Sequence, residues 1–139
     1  MPHARKALEY EPQHMHYYSL LVLLAARGDV ENYRLYCRDS LDRCQEIVNG
    51  EGLAKVCLMP GVDLALTDRM ADRGLTSRIN ERDPWISYSQ FAKALAEYRH
   101  GRFASAAEWA RKSIADPFYG AGYSRYVQSY MVLAMACIS

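Results

Sequence analysis

The sequence predicts an all-α protein in which antiparallel helical hairpins stack as an α-solenoid of about eight helices. Two patterns predict it. Apolar residues recur at i, i+3, i+4 and i+7 through most of the 139 residues, and no segment reads convincingly as a strand. Short turns marked by glycine then separate successive helical stretches, so consecutive helices must lie side by side and run in opposite directions.

The clearest hairpin spans residues 84–117. Asp83 is placed to cap its first helix, and Pro84 suits a first turn whose N–H would be unpaired anyway. Tyr88, Phe91, Ala92 and Leu95 fall on one face. Gly101 ends that helix, because glycine accepts the left-handed conformation at low cost. Phe103, Ala106, Ala107, Ala110 and Ile114 repeat the pattern on a second helix, which Pro117 stops.

Taken in order, residues 3–11 read as a short helix with Ala4, Ala7 and Leu8 on one face, a partial N-terminal cap. Residues 13–27 form a strongly apolar helix (Tyr17, Leu20, Leu21, Leu24, Ala25), expected to be sandwiched between neighbours. After the Gly28-Asp29 turn, Val30, Tyr33, Tyr36 or Cys37, Leu41 and Cys44 continue as its partner, reaching as far as Val48. Asn49-Gly50-Glu51-Gly52 is a turn. Leu53, Val56, Cys57 and Met59 make a short helix ending at Pro60-Gly61, and Leu64, Ala65, Thr67 or Asp68, Ala71 and Leu75 a further amphipathic one. Residues 76–83 are polar. Beyond the junction at 118–122, residues 123–138 form a last helix whose inward face is expected to carry Tyr126, Val127, Tyr130, Met131, Leu133, Ala134 and Cys137. No polar capping helix follows, so an apolar flank is expected to stay exposed or to pair with its own copy.

The hairpin at 84–117 resembles a tetratricopeptide repeat. Ala94, Gly101, Phe103, Ala106 and Ser113 sit at or near the small or aromatic positions of that pattern, while Gln90, Lys93, Glu97 and Ala110 replace its usual Trp, Leu, Tyr and Phe. A shift of one residue aligns Phe91 and Tyr98 with aromatic positions and loses Ala94. Over a wider span, Arg27 to Cys37, Leu53 to Gly61, Leu75 to Trp85 and Phe91 to Phe103 recur in order and spacing in the repeat region after the catalytic domain of planctomycete-type bacterial serine/threonine protein kinases, which residues 5–135 resemble. The resemblance implies a sensing or partner-binding appendage. No Gly-rich loop, His-Arg-Asp or Asp-Phe-Gly is present to supply kinase chemistry. Starting and stopping in mid-repeat, the single domain over residues 1–139 is expected to be a fragment of a longer array.

Composition excludes several classes. Half the residues are apolar, and the net charge of +1 disfavours a dominant role on nucleic acid or an anionic membrane. The longest apolar run, Leu20 to Ala26, is too short to span a bilayer, and the N-terminus lacks the apolar core of a signal peptide, so the cytoplasm is expected. The four cysteines form no C-x-x-C pair and read as free buried thiols.

No residues converge as a catalytic set, and neither enzyme activity nor a cofactor is expected. His14 and His16 are one residue apart and do not share a helical face, which argues against a metal site. Asp63, Asp68 and Asp72, alternating with Arg69 and Arg73, read as a solvated salt-bridging face. The stronger candidate is the concave face lined by the first helix of each hairpin. By analogy it draws on Tyr18, Tyr88, Phe91, Leu95, Arg99, Tyr126 and Tyr130, an aromatic and weakly basic groove suited to a peptide or protein segment. A homodimer through the last helix is the structural alternative.

Overall fold

The computed structural model describes residues 6, 14–43, 64–76, 85–115 and 123–139. Six helices occupy them: α1 (His14–Ala26), α2 (Val30–Arg43), α3 (Leu64–Thr76), α4 (Ile86–Arg99), α5 (Phe103–Ala115) and α6 (Tyr123–Ile138). No strand occurs among the described residues. The count differs from the expected number of about eight. Of the helix read at residues 3–11 only Lys6 is described, and it is helical; the helix read at Leu53–Met59 and the Asn49–Gly52 turn lie outside the described residues. α4 starts later than expected: Trp85, not Asp83, is its N-cap, so Pro84 is not in its first turn.

The two hairpins, α1–α2 and α4–α5, turn in the same way. Gly28 and Gly101 have φ of 67° and 73°, the left-handed region that costs glycine little. The Gly28 N–H donates to the Ala25 carbonyl at 3.1 Å and the Asp29 N–H to that of Leu24 at 3.0 Å. At Gly101 the equivalent bonds run to Tyr98 at 2.9 Å and from Arg102 to Glu97 at 3.0 Å. Both are Schellman turns, which satisfy the last carbonyls of the first helix while reversing the chain. Asp29 then caps α2, its carboxylate accepting from the Asn32 backbone N–H at 3.3 Å.

Around α1 and α2 the core is aliphatic and aromatic. Tyr17, Leu20, Leu21 and Leu24 of α1 pack with Tyr33, Cys37 and Leu41 of α2, Leu66 and Met70 of α3, and Ala92 of α4. The Tyr17 hydroxyl keeps its polar tip paired by donating to Asp39 at 2.6 Å. Among the described residues α1 packs on one side, and Tyr18, Val22 and Leu23 are exposed on the other. In α3 the buried positions are Leu66, Thr67, Met70, Ala71 and Gly74. The expected face was offset, because Leu64 and Ala65 turn to solvent and Leu75 is half-buried. Gly74 holds an inward position that a hydropathy pattern does not mark as core.

α4 is the centre of the molecule, packing on α3, α5 and α6. Its small residues allow this. Ala92 and Ala96 face α3, while Phe91 and Ala94 meet Ala110 of α5 and Val132 of α6. Ser113 near the end of α5 meets Ser129 of α6, and Ala106 and Ala107 near its start cluster with Ala136. These pairings run α5 antiparallel to both α4 and α6, so α4 and α6 are parallel.

The orientation of α6 departs from the sequence expectation at five of its seven positions; Tyr126 and Leu133 are half-buried, and Leu133 packs on the core as expected. Its buried positions are Arg125, Ser129, Val132 and Ala136, whereas Val127, Tyr130, Met131, Ala134 and Cys137 are exposed. At about 100° per residue the two sets lie on opposite sides of the helix. The inward side is selected by small size and polar pairing: the Ser113 hydroxyl donates to the Ser87 carbonyl at 2.7 Å and lies 3.0 Å from the Ser129 hydroxyl.

Candidate interaction surfaces

The sequence-read groove residues do not share one surface. Phe91 is 5 % exposed and belongs to the core with Ala94, Ala110 and Val132, so its ring has almost no area left for a partner. This corrects its assignment to the groove; the close approach of α6 covers it. Leu95 is half-buried and packs beside both Ala71–Ala96 and Phe91. Arg99 is half-buried in the last turn of α4, where a cation is favoured by the helix dipole. Tyr88 and Tyr126 are half-buried and engage the buried Arg125, whose guanidinium carbon lies 5.9 Å and 4.2 Å from their ring centroids. Tyr18 and Tyr130 are exposed, on α1 and α6 respectively.

The larger surface feature is the outer side of α6. Val127 is 59 % exposed, Tyr130 56 %, Met131 58 % and Ile138 86 %. Ala134 and Cys137 lie among them and are also exposed. These six form one stripe along the whole helix. The only charged residue of α6, Arg125, is on the opposite side at 1 % exposure. α1 carries a smaller patch of the same kind in Tyr18, Val22 and Leu23.

A charged network joins α3 to the α4–α5 turn. Lys93 contacts Asp72 at 2.7 Å and Glu97 at 2.9 Å. Arg102 donates to Asp68 at 2.9 Å and to Glu97 at 2.9 Å. The His100 Nε2 lies 3.2 Å from Asp68 and 3.0 Å from the Leu64 carbonyl. Hydrogen bonding from Arg102, assisted by Lys93, outweighs burial and holds the Glu97 carboxyl at about 2. Burial acts to lower the Lys93 pKa, yet its bonds to Asp72 and Glu97 prevail and raise it. Asp68 and Asp72 form the ion pairs expected of a salt-bridging face, and Asp72 is exposed, but their partners lie outside α3, on α4 and its turn to α5; Asp63 lies outside the described residues. Lys93 and Glu97, which depart from the repeat pattern, are the residues that make the network. Their partners on another helix were not visible in a local reading.

The other candidates are quickly placed. Cys37 is buried, as expected, and is in no disulfide, but Cys137, also in no disulfide, is exposed; Cys44 and Cys57 lie outside the described residues. Among the described residues no three His, Cys, Asp or Glu side chains come together to hold a metal ion. None of the described helices is long and apolar enough to cross a membrane. No known protein family, curated protein or solved structure matches the chain.

Proposed function

We propose that the chain is a protein-interaction module built of tetratricopeptide-like hairpins stacked as a solenoid, acting without catalysis or cofactor in the cytoplasm. The observation that carries this reading is the uncharged apolar stripe of α6, from Val127 to Ile138. Monomeric soluble proteins rarely leave a continuous apolar face of this kind uncovered without a partner for it. Two further observations support a repeat architecture. The hairpins close with the same pair of backbone bonds at Gly28 and Gly101, and each described helix packs on its neighbour in the chain.

The stripe is a better binding surface than the inner groove. Phe91 is buried, and Tyr88 and Tyr126 are engaged by Arg125. Tyr130 passes from the groove set to the α6 face, and Tyr18 to the α1 patch. Attachment to a kinase-like catalytic domain, as the sequence resemblance implies, would make the stripe a contact site for sensing or recruitment.

The test is affinity capture from a lysate of the cells that make the protein, read by mass spectrometry. The control bait carries Val127→Glu and Met131→Glu, with helical content checked by circular dichroism. Proteins held by the native bait and lost with the control are expected. Retention by both baits, with loss from a Tyr88→Ala bait, would return the function to the groove.

A further inference from the structure

We infer that the partner of the α6 stripe is a second copy of the same stripe, packed antiparallel about a two-fold axis. The inference rests on the α6 surface proposed above as the binding site and names its occupant. Three properties of the stripe select a second copy. The first is size. The exposed parts of Val127, Tyr130, Met131, Ala134, Cys137 and Ile138 amount to about 600 Å² per copy, so pairing removes at most about 1,200 Å² from water, which reaches the lower edge of what a specific interface requires. The second is charge. No charged side chain of α6 faces outward, so two copies meet without like-charge repulsion.

The third is shape. A two-fold interface must be complementary to itself, residue i meeting j while j meets i. The stripe is centred between Met131 and Ala134. An antiparallel pair on that centre sets Met131 of each copy against Ala134 of the other, large against small, and Val127 against Ile138. It also opposes the helix dipoles. A parallel pair would set Met131 on Met131 and leave a gap between two Ala134 side chains, with the dipoles aligned. The small α1 patch does not compete, since it has fewer large exposed side chains.

Sedimentation equilibrium of the full chain over a micromolar concentration series tests the inference. The mass is expected to rise from 15.9 kDa to twice that value and to stop there. Met131→Glu is expected to hold the chain at the monomer mass, while Leu23→Glu on α1 leaves the dimer unchanged. Ala134→Phe separates a shaped interface from a merely apolar one: it adds apolar area and is expected to weaken the dimer, because the position must stay small. Circular dichroism confirms that each variant keeps its helices. A monomer at every concentration, growth beyond two copies, loss of the dimer with Leu23→Glu, or a stronger dimer with Ala134→Phe each overturns the inference. If the monomeric native chain still captures a different protein that Met131→Glu does not, the binding reading stands and self-pairing fails.

Discussion

Glu97 concentrates the electrostatics of the α3–α4 contact in one carboxylate. It is 5 % exposed and accepts from both Arg102 and Lys93. Its folded pKa of about 2 lies below the ordinary 4.5. The stabilisation it provides is therefore complete above about pH 4.5 and lost as pH falls through that value toward 2. Denaturant midpoints measured from neutral pH downward should fall less steeply in Glu97→Gln than in the native chain. At neutral pH the same variant should lose about 2 kcal/mol, as charge-assisted hydrogen bonds to it weaken. Gly101 is a simpler case. A Cβ there would meet nothing within 4 Å, so Gly101→Ala pays only for its φ of +73°. About 1 kcal/mol is expected, read as a drop of about 3 °C in a thermal melt. Both residues carry local information, but only one was legible. Gly101 announces a turn by its own chemistry, whereas the role of Glu97 depends on Arg102 and Lys93 acting together and on Asp68 brought in from α3.

Among the elements, the hairpins were legible and the faces of α3 and α6 were not. A hairpin is encoded within a few residues: an apolar period, a glycine and a second period. Which side of a helix turns inward depends on what the neighbouring helix offers. α4 and α5 offer α6 a surface of alanines and hydroxyls, and α6 answers with Ser129, Val132 and Ala136. Two valines on the one helix measure this. Val132 is 3 % exposed, so Val132→Ala should cost about 2 kcal/mol by leaving a gap against Phe91. Val127 is 59 % exposed, and its change to alanine should alter the stability of the monomer by less than about 0.5 kcal/mol. Chemical denaturation of dilute samples of both variants checks the pair. Equal losses would mean that α6 is rotated from the position described.

For the whole molecule, the packing order sets an order of stability. α4 has neighbours on three sides, α3, α5 and α6, while α1 is exposed along one side at Tyr18, Val22 and Leu23. Local opening should therefore reach the outer helices first. Amide hydrogen exchange followed by mass spectrometry is expected to protect peptides of α4 longest and those of α1 and the outer turns of α6 less. Longer protection in α1 than in α4 would contradict this hierarchy. The orientation of α6 also has a consequence for how the sequence can drift. In most helices the oily positions are the constrained ones and the hydroxyls are free to change. Here a library of α6 variants sorted only for folding would tolerate polar replacements at Val127 and Met131 and reject bulky ones at Ser129 and Ala136. The same library sorted for association would retain the apolar residues at 127 and 131. One helix thus answers two independent selections, each written on its own side.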